Sequence, residues 1–442
     1  MPNSGRRQTA QAVSTFPVEL GDDARISKLP FTIATGAAAM LLVWVPRSVQ
    51  FGSVSPSGAL TLLVATLTLC LLPAYAADAA ARRQFETTVP RPIRIPWPMW
   101  AFLILLLVSF LNTATTGAAG TEAVQNACVY VAFVGAIAFT PTAASPILVE
   151  RGWELMRDLS TWFSYLTLAA WVFGMGPFAS DRAGPSRAIA LVGLIALAIV
   201  IPGTQRNIWM RFAPFVMVAA MALSLSRTST AIGLAMLVFL ALRGRRPARG
   251  KLGKSLVKAV VLLAAVAIAG YLLVVYYTPL RDRFLVGDNA WKVGDTAIST
   301  AGRTKIWELV LSNASDHWLL GHGVGSASQL VTIYFPGLDH PHNEYIRFYY
   351  DFGIIGVALF FVGYFALAWR VLRSARRTGH PLHWAALIAM LSIALAAITD
   401  NPLVYPFVTL PLGALIGLSL AMSNFELIED RRFATAGQGR SP

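Results

Sequence analysis

The chain has 442 residues, 56% of them hydrophobic and only 13% charged, against about 25% charged in ordinary soluble domains. A mean hydropathy of +0.59 excludes intrinsic disorder, and it excludes a single water-soluble core, which cannot hide that much apolar surface. The formal charge of +14 fits either nucleic-acid binding or a membrane protein whose basic residues collect in cytoplasmic loops, and position along the chain separates the two.

Residues 1–30 are polar and read as a cytoplasmic tail. They carry no apolar run followed by a small-residue cleavage site, so the first apolar segment is expected to act as an uncleaved anchor. A spanning helix needs about 20 mostly apolar residues. Twelve segments qualify, at 31–47, 57–79, 97–113, 122–141, 157–176, 187–202, 212–226, 228–243, 257–277, 348–370, 383–399 and 403–422. With the N-terminus inside, most of the 36 Lys and Arg fall in alternate, cytoplasmic connections, above all in RGRRPARGKLGKSLVK and RVLRSARR. That bias fits an even number of spans with both termini inside, and it accounts for the charge without nucleic acid. An odd number would put the 243–258 run or the C-terminal tail, 423–442, on the wrong side. The predicted fold is therefore an all-α polytopic membrane protein of about twelve helices. Cys70 and Cys128 lie inside apolar segments and read as packing residues, with no disulfide framework and no Cys-type zinc site.

The domain plan that follows has helices one to nine over 31–277, a long outer loop over 278–347, and helices ten to twelve over 348–422. A loop of that length in a compact bundle is usually functional. Within it, 300–313 reads as a short helix capped by Ser299 or Thr300, with Ile306, Leu309 and Val310 on one face. The stretch GHGVGSASQL is punctuated by glycine and reads as a turn back. The loop is expected to form a small helical subdomain packed on the bundle.

Of six histidines, His380 and His383 lie in an inner connection and read as solvated; His317, His322, His340 and His342 all lie in the outer loop. Imidazole suits proton transfer near neutrality. The segment Asp339-His340-Pro341-His342-Asn343-Glu344 falls just before the tenth span. Its bland reading is an interfacial loop of hydrogen-bonded histidines. Arg303 and Lys305 sit in the first turn of the short helix, where the dipole disfavours cations unless an anion binds there. The bland reading is an arginine paired with a loop aspartate. Arg227 occupies an outer turn between two apolar runs, where snorkelling alone would explain it, and Arg182 and Arg187 occupy another outer loop. All four arginines and the histidines are predicted at one face, as a site for a phosphorylated lipid would require. Zinc fits poorly, because His-Pro-His is not a common ligand spacing and HExxH is absent. The loop aspartates have no Mg²⁺ spacing, and no P-loop is present for ATP.

One family orders such features similarly. Ser226-Arg227 follows a span and precedes a basic inner loop. A long outer loop then carries Gly302-Arg303 and Trp307, then Gly323-Val324-Gly325. His342-Asn343 comes shortly before a span containing Gly353-Ile354-Ile355-Gly356. Over roughly 220–370 the chain resembles the bacterial O-antigen ligase/polymerase superfamily. The resemblance implies periplasmic glycosyl transfer from an undecaprenyl-pyrophosphate-linked glycan, with lipid A–core as acceptor for a ligase. It implies a multi-pass protein of the bacterial inner membrane, no cofactor and no metal. It matches the family's key histidine to His342 and its two essential arginines to Arg227 and Arg303. Trp307, Gly323, Gly325 and His340 are expected in support, with Asn343 or Glu344 orienting the imidazole. The chain departs from relatives after Arg182, where Ala183-Gly184-Pro185-Ser186-Arg187 replaces an Asn-Pro-Asn-like stretch, which leaves the roles of Arg182 and Arg187 open. Polymerisation of O-units and transfer to protein hydroxyls are the sibling activities. A transporter or flippase would need polar residues deep in several spans, whereas here the special residues cluster at one face. A purely structural scaffold fits the histidine-rich loop poorly.

Overall fold

The computed structural model describes residues 29–45, 55–84, 95–115, 120–140, 146–175, 186–202, 207–224, 226–243, 268, 276, 291–293, 296–298 and 302–438. Eight helices lead: α1 (Leu29–Leu42), α2 (Pro56–Gln84), α3 (Trp97–Thr115), α4 (Thr121–Phe139), α5 (Pro146–Phe173), α6 (Ser186–Val200), α7 (Ile208–Leu223) and α8 (Arg227–Arg243). A two-stranded antiparallel hairpin, β1 (Trp291–Val293) with β2 (Thr296–Ile298), pairs Lys292 with Ala297 and holds the only strands among the described residues. Then come α9 (Arg303–Ser312), α10 (Ser326–Tyr334), α11 (Glu344–Thr378), α12 (Pro381–Ala396) and α13 (Pro406–Gln438).

Each apolar segment read from the sequence coincides with a helix except the ninth, 257–277, which lies outside the described residues apart from Ile268 and Tyr276. Among the described residues, α3, α4, α11 and α13 are long and apolar enough to cross a membrane, and six further apolar helices are shorter. This is a helical membrane protein. Several helices outrun the segments that predicted them. Helix α5 starts at Pro146 rather than 157, because its first turns carry charge without breaking helical periodicity. Helix α13 continues to Gln438, through much of the segment expected as a tail.

The last helix lies near the middle of the bundle. Helix α13 packs against α1, α4, α5, α6 and α12, and its apolar window is almost wholly buried. Gly413 and Gly417 let it approach α4 closely; a Cβ at Gly417 would stand 2.6 Å from the Thr140 side chain. Helix α6 is the other buried element, with Ile189 to Ile201 nearly all inaccessible against α5, α7, α8 and α12. Outward residues such as Leu107, Leu111 and Trp162 stay exposed and apolar, as lipid contact requires. Cys70 belongs to that outer surface, which corrects its reading as a packing residue, while Cys128 is partly buried.

His383 also differs from expectation. It is fully buried rather than solvated, with Nδ1 2.8 Å from the Ser419 hydroxyl and Nε2 3.1 Å from Glu426. His380 is partly exposed and pairs with Glu150 at 2.9 Å. A histidine beside an arginine run looked like a loop residue, but α12 begins at Pro381 and turns it inward onto α13.

The described part of the 278–347 segment packs round a small core that it shares with α11. Ile306, Val310 and Ala314 from α9 and its exit meet Ala327 and Val331 of α10 and Tyr350 of α11. The cap is not Ser299 or Thr300, which lie outside the described residues. Gly302 takes that place with φ 77°. The stretch read as a turn holds a helix, α10, because three left-handed glycines, Gly321, Gly323 and Gly325, bring the chain round before Ser326.

Helix α11 is broken at Gly353, with φ 63° and ψ −171°, a conformation open essentially to glycine alone. The segment 318–323 fills the break. Ile354 and Ile355 donate their N–H groups to the carbonyls of Trp318 and Leu319, and His322 and Gly323 donate to Tyr350 and Asp351. A Cβ at Gly353 would stand 2.3 Å from the Leu319 carbonyl, and one at Gly321 2.4 Å from that of Asp351. Gly353→Ala is therefore expected to abolish the fold or destabilise it by several kcal/mol. Gly337→Ala has a positive φ but open space around it, and should cost only the local strain of about 1–2 kcal/mol. Thermal unfolding of the two variants in detergent checks the difference.

Candidate active site

The geometry starts from one buried cation. Arg347, at the end of the first turn of α11, is completely inaccessible. Its guanidinium meets Glu344, the Tyr130 hydroxyl of α4, and Asp351 at 3.2 Å. Glu344 in turn accepts from the Asn401 side chain at 3.1 Å, and its backbone N–H donates to Ala397 at 2.8 Å, which draws the α12–α13 turn in. Asp351 accepts the N–H groups of Gly325 at 3.2 Å and Ala327 at 2.8 Å, which fixes the start of α10. Phe102, Phe348, Phe352 and Phe360 pack round the network. In such apolar surroundings the charges hold one another strongly, and an unpartnered one would be costly.

His342 sits on the rim of this network. It is the one non-glycine residue with a positive φ, 54°, among the described residues. For a residue with a Cβ that conformation stores strain, and such strain is found at functional sites. The surroundings hold it. Trp307 on α9 donates from Nε1 to the Pro341 carbonyl at 2.8 Å. Asn343 caps α11 by accepting the Ile346 N–H at 3.1 Å. His342 Nδ1 lies 3.8 Å from an Asp400 carboxylate oxygen, with the imidazole only 12% exposed. The reading that Asn343 or Glu344 orients the imidazole changes accordingly: Asn343 is the helix cap, Glu344 belongs to the Arg347 network, and Asp400 is the carboxylate beside His342.

His340 has a different environment. Its Nδ1 is 2.8 Å from the Ser328 hydroxyl of α10, and its ring meets Tyr405 edge-on. Burial, reinforced by Arg347 and His342, pushes its pKa down to about 3, so it stays neutral. His317 and His322 form another group, with His322 stacked on Tyr350 at 4.1 Å between ring centres.

The predicted arginines divide. Arg227 and Arg303 are each the first residue of a helix, α8 and α9, and both are partly buried. The start of α8 is tied to the His342 surroundings, since the Thr228 hydroxyl lies 2.6 Å from that of Thr399, next to Asp400. The start of α9 belongs to the helix that holds Pro341 through Trp307. Two helix N-termini, each bearing a guanidinium, are suited to an anion. Arg187 falls in the first turn of α6, and Arg182 lies outside the described residues. Gly323 and Gly325 act through backbone: both are left-handed, and a Cβ on Gly323 would strike Thr113 at 2.4 Å. Between them Val324 donates to the Ser109 hydroxyl at 2.9 Å, which docks the loop on α3. Among the described residues no three His, Cys, Asp or Glu side chains are grouped to hold a metal ion.

Asp400 and Arg347 escaped the sequence reading. A signal existed for Asp400, the sole acidic residue between Asp351 and Glu426, in a short turn between two apolar segments. Arg347 carries no comparable local signal, because Tyr130, which it meets, and Asn401, which Glu344 holds, lie far away in sequence.

One comparison with known proteins bears on the class of protein. Residues 212–361 match the family model described as O-antigen ligase. The match covers about a third of the chain, from α7 to the middle of α11, and includes Arg227, Arg303 and His342. It supports membership of the O-antigen ligase superfamily and, at that level, a glycosyltransferase-like activity. No curated protein matches the chain.

Two outcomes follow. Arg347→Met leaves Glu344 and Asp351 buried without their cation and should destabilise by about 3–5 kcal/mol, read by chemical unfolding in detergent. His340, whose folded pKa lies below its unfolded value of about 6.5, contributes stability present above that value and lost as pH falls towards 3. The melting temperature of wild type should fall between pH 7 and pH 4.5 by more than that of His340→Gln.

Proposed function

We propose that the chain is an O-antigen ligase, transferring a glycan from undecaprenyl pyrophosphate to a hydroxyl of lipid A–core. It works at the periplasmic face of a bacterial inner membrane, with both termini cytoplasmic. His342 takes the proton from the acceptor hydroxyl through Nε2, while Asp400 faces Nδ1 and stabilises the imidazolium that forms. The hydroxyl oxygen bonds to the anomeric carbon as the bond to the lipid pyrophosphate breaks on the opposite face, giving inversion. Arg227 and Arg303 neutralise the leaving pyrophosphate, with Arg182 or Arg187 assisting. Charge stabilisation of this kind is commonly the largest catalytic contribution. His340, held neutral, positions the loop rather than exchanging protons.

The observation that carries this reading is the constellation about His342. A strained imidazole stands 3.8 Å from a carboxylate, and the elements joined to it begin with Arg227 and Arg303. The positive-inside charge pattern supports the orientation, since these elements meet at one end of the helices, the end predicted to face outward.

The experiment is glycan transfer by purified protein from undecaprenyl-pyrophosphate glycan to lipid A–core, with and without EDTA. The proposal expects a lipopolysaccharide ladder that survives EDTA. His342→Ala should lose about 10²–10⁴-fold in rate. Asp400→Asn should lower kcat with KM little changed, because it acts on the imidazole rather than on substrate binding. Glycan lengthening without transfer to lipid A–core would make the protein a polymerase. Transfer to a protein hydroxyl would make it an oligosaccharyltransferase. Retained activity in His342→Ala would overturn the assignment of the base.

A further inference from the structure

Three hydrophobic side chains of the outer loop stand uncovered at one level of α11. Trp318 is 55% exposed, Leu319 43% and Leu320 55%. Their backbone is bonded to α11 at the Gly353 break, where Ile354 and Ile355 donate to the Trp318 and Leu319 carbonyls. That break is also where the apolar part of α11 begins. From Phe352 to Trp369 the sequence carries no charge, and Asp351 and Arg370 bracket it. Eighteen such residues measure about 27 Å along a helix, close to the roughly 30 Å hydrocarbon core. The break therefore lies at the membrane boundary, and the nine residues of α11 before it, 344–352, rise about 13 Å above it towards His342.

The uncovered side chains continue the lipid-facing stripe of this span. Ile354 is 45% exposed, and Val362, Phe365 and Trp369 follow on the same side of α11. Non-helical backbone at that depth is tolerated where its polar groups are satisfied, and here the carbonyls of Trp318 and Leu319 are taken up by α11. A tryptophan at the boundary with two leucines following is the composition of an interfacial anchor.

We propose that Trp318, Leu319 and Leu320 enter the bilayer on the same side as His342, with their side chains among lipid acyl chains. The loop subdomain is then seated in the membrane surface, and its depth fixes the height of His342 above the lipid. The inference rests on the membrane reading of α11 and not on the reaction assigned to the site.

The test needs no activity. In a background lacking Cys70 and Cys128, Leu320→Cys is spin-labelled, with Glu308→Cys on the exposed side of α9 as the aqueous reference, and each is reconstituted in phosphatidylethanolamine–phosphatidylglycerol vesicles. The ratio of collision with oxygen to collision with a water-soluble nickel chelate should be several-fold higher at 320 than at 308. Equal ratios would overturn the proposal, because the segment would then lie in water. Inaccessibility to both reagents would overturn it too, because protein rather than lipid would cover the segment. Trp318→Phe, a mild change, gives an independent reading. Quenching of tryptophan emission by brominated lipid should drop relative to wild type, and unchanged quenching would count against insertion.

Discussion

A guanidinium without access to water governs the end of this molecule that carries His342. Arg347 cannot lose its proton, so burying it requires anionic and polar partners in fixed positions. Glu344 and Asp351 supply the charge from the same helix, at i−3 and i+4, and Tyr130 supplies a hydroxyl from α4. Each carboxylate has capacity left over, and that capacity reaches outward. Glu344 takes Asn401, and Asp351 takes two N–H groups of the Gly325–Ala327 turn. One buried charge thereby ties α4, α11, the α12–α13 turn and the start of α10 together. These are the neighbours of His340, His342 and Asp400.

Such an arrangement suits a site that must hold strain. A left-handed histidine survives only where the structure around it is over-determined. Here the Pro341 carbonyl is held by Trp307, Asn343 is committed to capping α11, and Glu344 is committed to Arg347 and Asn401. Residues flanking His342 are thus spoken for on both sides, which leaves its imidazole at a set angle to Asp400. The break at Gly353 serves the same end from below. It lets the 318–323 segment complete the helix's hydrogen bonds, so the glycine-rich loop is continuous with the span beneath the site.

The glycines round the site, Gly321 and those of the family-like pattern, have distinct physical duties. Gly321 and Gly353 permit backbones to touch, Gly323 and Gly325 turn the chain and approach α3 and α4, and Gly356 packs against Phe352 and Leu105. They set where Ser109, Asp351 and Ser328 can reach, and through Ser328 they set the place of His340.

Much was legible along the chain because a bilayer imposes local rules. Length of apolar run, and the connections in which arginine and lysine accumulate, are properties of contiguous sequence, so eleven of the twelve apolar segments coincide with helices among the described residues, several of them longer than expected. The His340–Glu344 segment and Arg227 stood out for a similar local reason, as polar groups at apolar borders, Arg303 stood out as a cation in the first turn of a helix, and Trp307 stood out only through the family resemblance. What sequence alone could not convey was which of those borders meet. Asp400 comes beside His342 through the fold of α12 against α11, 58 positions along the chain from it. Arg347 becomes a hub only because α4 and two turns close over it. His383 is buried because α13, last in sequence, runs through the middle of the bundle. Helical periodicity and hydropathy act over a few residues, whereas partners for buried charge are chosen by packing among distant segments, and only the tertiary structure decides that.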